Sequence, residues 1–251
     1  MSSYQLIEKY NIPIPRYTSY PTVPFWKEGM DNADDWTFQI QKAIRAGKTA
    51  EGISLYIHLP FCEQLCTYCG CNKRITKNHQ VEEVYMAALL KEWEMYKAIF
   101  GPALVVRELH LGGGTPTFFS PENLTRLLKN MFHGVSIHPE REFSFEGHPN
   151  NTSRAHLQAL YEIGFRRVSF GVQDLDTKVQ TAINRIQPFE KTKQVTDWAR
   201  EIGYTSVNFD LIYGLPFQTL ESVRNTISSV ISLRPDRIAF YSYAHVPWTK
   251  K

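Results

Sequence analysis

A chain of 251 residues with 43% hydrophobic and 13% aromatic residues can bury one large core, which excludes a disordered or low-complexity protein. Its 28 basic and 25 acidic residues leave a formal charge of +3, without the dense basic blocks of a nucleic-acid or anionic-membrane binder. No apolar run approaches the roughly 18 residues that span a bilayer, and the first ten residues lack the apolar centre of a secretion signal. The expectation is a soluble, cytoplasmic protein.

In chain order, residues 12–26 hold four prolines among several aromatics and are expected to form an extended strap. Residues 1–50 are therefore taken as an N-terminal leader with a helix packing on the core, and residues 51–251 as the core itself. Short β-rich runs then alternate with longer helical patterns, the signature of repeated βα units and a parallel sheet. Strands are expected at 54–59, 107–111, 142–146, 167–173, 206–212 and 237–243.

Between the first two strands, residues 82–100 carry Val84, Tyr85, Ala88 and Leu89 as a one-sided packing face. After the second, Leu124, Leu127, Leu128 and Met131 repeat the pattern behind a Ser120-Pro121 start signal. Glu162-Ile163-Gly164-Phe165 and Glu201-Ile202-Gly203-Tyr204 form a weak internal repeat, each closing a helix with glycine and leading into a strand.

Strands of an ordinary parallel sheet are apolar on both faces. Here Leu55, Ile57 and Leu59 alternate with Tyr56 and His58, and Val207 and Phe209 with Asn208 and Asp210. One explanation is an antiparallel sheet with a wet face. The long helical connections favour the other, a barrel-like sheet whose polar faces converge on a ligand-sized interior. Such barrels place their chemistry at the C-terminal strand ends. The cysteine run, Gly112-Gly113-Gly114-Thr115-Pro116, Glu146, Gln173, Asp210 and Tyr243-Ala244-His245 all fall there, with His58 and His110 expected to hydrogen-bond inside. Three glycines let backbone approach a ligand, Glu146 and Asp210 suit ribose hydroxyls, and Arg185 suits a carboxylate.

All four cysteines, Cys62, Cys66, Cys69 and Cys71, lie in one short stretch. Bridges between them would close tiny loops of little structural use. Structural zinc ordinarily needs a second, distant pair of ligands. The C-x3-C-x2-C spacing favours a single loop around one iron–sulfur cluster, three thiolates leaving one iron open. Zinc remains the alternative, and Cys71 is expected to stay a nearby thiol.

These motifs resemble the radical S-adenosylmethionine enzymes, and within them the oxygen-independent coproporphyrinogen III oxidase (dehydrogenase) family of haem biosynthesis. The resemblance rests on residues 15–22 (PRYTSYPT), 56–73 (YIHLPFCEQLCTYCGCNK), 109–117 (LHLGGGTPT), 170–174 (FGVQD), Asn184-Arg185, 209–216 (FDLIYGLP) and 243–247 (YAHVP). It implies an α/β fold, a partial (βα)6 TIM-like barrel of the radical SAM type, with an N-terminal extended leader. A 4Fe–4S cluster would be held by Cys62, Cys66 and Cys69, with two S-adenosylmethionine molecules. Tyr56, Gly113 and Glu146 would contact the first; Tyr68, Gly114, Thr115, Gln173, Arg185, Asp210 and Ala244 the second. Cys71 would be catalytic without binding iron. The implied reaction converts coproporphyrinogen III to protoporphyrinogen IX by radical removal of a propionate β-hydrogen and loss of CO₂. Its electron donor and acceptor are unidentified, and the protein is expected to act as a monomer.

Arg16 and Lys73 are candidate partners for substrate carboxylates. Two departures stand out: the family continues as a largely helical C-terminal domain beyond this point, and Glu146-Gly147-His148-Pro149 stands where relatives commonly have Glu-x-Asp-Pro. The competing function is that of a haem-binding relative, a haem chaperone without oxidase activity.

Overall fold

The computed structural model describes residues 2–11 and 32–244. The proline-rich strap, with Arg16 and the 15–22 motif, and residues 245–247 of the last motif lie outside the described residues.

Helix α1 (Ser3–Tyr10) starts with a reciprocal cap between Ser2 and Gln5 and buries no residue. Helix α2 (Ala33–Arg45) is capped by Asn32, which accepts from the Asp35 N–H, and Asp34 and Asp35 complement its N-terminal dipole. It lies against α3 (Val81–Phe100), where Trp36 Nε1 donates to the Tyr96 hydroxyl at 3.1 Å.

Six strands form the sheet: β1 (Ile53–Leu59), β4 (Val105–Gly113), β5 (Ser136–Gly147), β6 (Arg167–Gln173), β7 (Ser206–Tyr213) and β8 (Arg237–Ser242). They lie in that order and every neighbouring pair is parallel. All six expected strands are present, in the expected order, and among the described residues β1 and β8 are the edges of an open barrel. A pair that sequence reading did not anticipate, β2 (Phe61–Cys62) and β3 (Arg74–Ile75), brackets the cysteine run.

The alternation of side chains sorts as the pleat requires. Leu109, Leu111, Phe143, Phe145, Val168, Phe170, Val207 and Phe209 are almost wholly buried under the helices, each contributing roughly 1.5–3 kcal/mol of apolar burial. Helix α4 (Pro121–Phe132), capped by Ser120 as expected, seats Leu124, Leu127, Leu128 and Met131 in this core. Helices α5 (Arg154–Ile163) and α7 (Phe189–Ile202) extend the layer, followed by α8 (Leu220–Ser232).

The repeat is structural. Gly164 and Gly203 follow α5 and α7 at φ 120° and 110°, values that L side chains rarely adopt. The next residues, Phe165 and Tyr204, turn into the core and bond back to Leu160 O and Ala199 O.

One packing face differs from expectation. Val84 and Ala88 are exposed, and the inward stripe of α3 runs through Glu82, Met86 and Trp93 with Leu89 and Leu90 beside it. Two residues along a helix is about 200° of rotation, so choosing Glu82 and Met86 turns Val84 and Ala88 outward. A buried carboxylate in the stripe hid this. Among the described residues, no helix is long and apolar enough to cross a membrane.

Candidate functional site

The inward faces and C-terminal ends of the strands, together with the cysteine loop, enclose a cavity of about 390 Å³. The loop leaves β1 at Pro60 and returns through β3, with Arg74 N bonded to Pro60 O at 2.8 Å and Thr76 N to Cys62 O at 2.9 Å. All four thiols line the cavity.

Local chemistry distinguishes the thiols. Cys62 meets the Thr115 hydroxyl at 3.3 Å; burial raises its pKa and that hydrogen bond partly offsets the rise. Cys69 is held well below the ordinary thiol range, chiefly by a hydrogen bond from the Cys71 thiol, with Lys73 adding positive charge. Cys71 is shifted upward by the same bond, and it is exposed where the other three are partly covered. Lys73 Nζ donates to Cys69 O at 2.8 Å and Cys71 O at 3.2 Å, so its ammonium is engaged by the loop itself.

Gly114 shows why glycine is required beside this loop. A Cβ there would stand 2.7 Å from Pro60 backbone atoms, and Gly114 N and Thr115 N already donate to Leu59 O and Phe61 O. The glycine turn therefore fastens β4 to the start of the cysteine loop, with Gly113 beside it on the cavity wall.

Arg185 is buried across from the thiols. Its Nη2 donates to Gly171 O at 2.6 Å, its Nη1 approaches Cys66 Sγ at 3.5 Å, and its Nε has no partner among the described residues. Tyr68 also bonds Cys66, and burial raises the pKa of its phenol. Gln173 has φ 66° at a register shift in β6, a bulge that aims its amide at the cavity and carries backbone strain of about 1 kcal/mol or more.

Asp210, within β7 rather than at its end, accepts from the Ser169 hydroxyl. Burial pushes its pKa up to about 6, with Glu146 adding to the rise and the Ser169 bond opposing it. Glu146 Oε1 lies 3.4 Å from His110 Nε2, and His110 Nδ1 contacts the Ser144 hydroxyl at 2.8 Å. His58 contacts Asn72 O at 2.8 Å, so both histidines are interior hydrogen-bonders.

Of the residues singled out from sequence, Tyr56 and Ala244 are not on the wall of this cavity. Tyr56 stacks on His110 and reaches toward His58, while remaining 54% exposed. Ala244 is exposed just past β8. Several wall residues had no role assigned from sequence, His148 and Asn184 among them. His148 accepts from Asn150 N at 3.1 Å, and burial, with Arg185 nearby, holds its pKa well below the usual histidine range. Thus a histidine whose proton affinity is lowered by burial stands at the position of the Glu-x-Asp-Pro departure.

A six-stranded parallel half-barrel with four free thiols and a buried guanidinium at its mouth defines a class. The superfamily model described as radical SAM matches residues 56–230, and the chain belongs to the radical SAM superfamily. Membership implies a 4Fe–4S cluster and S-adenosylmethionine as cofactors.

Among its relatives, the oxygen-independent coproporphyrinogen III oxidase of Pseudomonas aeruginosa is 41% identical over 96% of this chain and 52% of its own length. The anaerobic coproporphyrinogen III oxidase 1 of Cereibacter sphaeroides is 43% identical over 98% of this chain and 54% of its own. The solved coproporphyrinogen III oxidase of Escherichia coli, described as a radical SAM enzyme, superposes with a TM-score of 0.86 at 37% identity, covering 97% of this chain and 53% of that one. The chain spans about half the length of the relatives it matches.

The donor set fits the cluster. Among the described residues, no three His, Cys, Asp or Glu side chains converge as ligands of a single ion. All four thiols line one cavity, and thiolate is the donor type that iron–sulfur clusters take. A buried guanidinium with an unpartnered Nε supplies the countercharge.

Proposed function

We propose that this chain carries the radical SAM core of an oxygen-independent coproporphyrinogen III oxidase, which converts coproporphyrinogen III to protoporphyrinogen IX in haem biosynthesis. The observation that carries this reading is the meeting of Cys62, Cys66, Cys69 and Cys71 with Arg185 in one cavity at the C-terminal strand ends. When bound, the cluster and S-adenosylmethionine supply one-electron chemistry that activates a propionate for loss of hydrogen and CO₂.

The chain's own residues do the rest. Cys62, Cys66 and Cys69 would hold the cluster. Arg185 takes a carboxylate, preferably as a bidentate pair, while Asp210, Glu146 and Gln173 accept or donate to polar edges of the cofactor. Gly113, Gly114, Thr115 and Tyr68 shape the wall, with Tyr56 and Ala244 at its margins. Cys71, exposed, stays outside the ligand set as the catalytic thiol. The electron donor and acceptor are separate molecules, the four free thiols suit a reducing cytoplasm, and the protein acts as a monomer.

The test is anaerobic reconstitution, followed by incubation with dithionite, S-adenosylmethionine and coproporphyrinogen III. The expected result is 5′-deoxyadenosine formation dependent on Cys62, Cys66 and Cys69, with vinyl product dependent also on Cys71. A chain that binds zinc but no iron or sulfide would overturn the reading.

A further inference from the structure

Between β2 and β3 the cysteine loop has no strand or helix of its own, so residues elsewhere must hold Cys66 in place. They lie more than a hundred positions away. Asn184 Nδ2 donates to Leu65 O at 2.8 Å, and Gln64 Nε2 donates to Asn184 Oδ1 at 2.8 Å and to Asn184 O at 3.1 Å. On the other side of Cys66, Thr67 N donates to Ile183 O at 3.0 Å. Arg185, next in the chain after Asn184, reaches Cys66 itself.

The backbone at this point has a separate explanation. Helix α6 (Thr177–Ala182) ends with Arg185 N bonded to Gln180 O at 2.9 Å and Asn184 N to Thr181 O at 3.2 Å, the paired bonds of a left-handed helix stop. Asn184 has φ 54°, the conformation in which glycine is least strained and asparagine is tolerated. The turn alone would be satisfied by glycine; the asparagine adds a side chain, and that side chain is spent on the cysteine loop.

We propose that Asn184 is a positioning residue for Cys66: it fastens the loop to the α6 terminus so that the thiol and the Arg185 guanidinium are held against each other. The proposal rests on the cluster reading above, and it makes the two halves of the cavity, the iron-binding loop and the cationic wall, one mechanical unit.

The informative variant is Asn184→Gly, which keeps the helix stop and removes only the side chain. The unfolding midpoint of the cluster-free chain is expected to stay within about 2 °C of wild type. After anaerobic reconstitution, iron release to a chelator is expected to be about threefold faster or more. In the cluster-free chain, iodoacetamide should alkylate Cys66 about threefold faster or more, with Cys71 unchanged, as loss of one or two hydrogen bonds predicts. Wild-type alkylation of Cys66 in Asn184→Gly would overturn the proposal. Failure of the wild-type chain to take up iron and sulfide would instead overturn the cluster reading, leaving the alkylation comparison to decide the role of Asn184.

Discussion

Arg185 bridges two walls of the cavity: one end nitrogen donates to Gly171 O at 2.6 Å, and the other stands 3.5 Å from Cys66 Sγ. Its planar fork makes both contacts at once, which a lysine ammonium on a flexible stem cannot reproduce. Arg185→Lys is therefore expected to weaken S-adenosylmethionine binding by about tenfold or more, as loss of one charge-assisted pair predicts. Equilibrium titration of the reconstituted chain measures it; unchanged affinity would remove Arg185 from the binding wall.

Lys73 spends its ammonium on two loop carbonyls, Cys69 O and Cys71 O. Lys73→Met should change unfolding free energy by less than about 1 kcal/mol, since these bonds are partly exposed. It should, however, remove a positive charge beside the thiols and move the cluster's midpoint potential in the negative direction. Potentiometric titration followed by electron paramagnetic resonance checks the sign.

Asp210 gives a pH dependence with a definite direction. Its pKa rises from 3.8 to about 6 on folding, so the folded state binds the proton more tightly than the unfolded state. The cost of the buried carboxylate is absent below about pH 4, grows as pH rises through the folded value, and is fully present at pH 7. Asp210→Asn should stabilise the cluster-free chain at pH 7 by about 2 kcal/mol and by nothing at pH 3.5. It should also weaken cofactor binding, because the acceptor is lost. Urea unfolding at the two pH values is the measurement.

Glu82 is 1% exposed and accepts from Ser120 N, Asn123 Nδ2 and His79 Nδ1. It thereby ties the start of α4 to α3 and, through His79, to Glu63 beside Cys62. Glu82→Ala leaves several donors unpaired and is expected to cost about 3 kcal/mol, with Glu82→Gln costing roughly half of that. Chemical denaturation gives both values, and a loss below about 1 kcal/mol for the alanine variant would show the network to be incidental.

What could be read without coordinates was whatever depends on local spacing. Alternation along each strand announced a two-faced sheet, the long helical connections announced that it is parallel, and the glycines at 164 and 203 announced helix ends. Periodicity failed for α3, where Glu82 occupies a core position that apolar counting passes over. Tertiary structure alone decided which loops abut. Arg185 reaches Cys66 across 119 positions, and the Gly114 and Thr115 N–H groups serve the cysteine loop rather than standing free. His148 shares the cavity wall with Arg185. Spacing specifies which face of an element a side chain occupies; sheet order and the twist of the strands determine which distant face it meets.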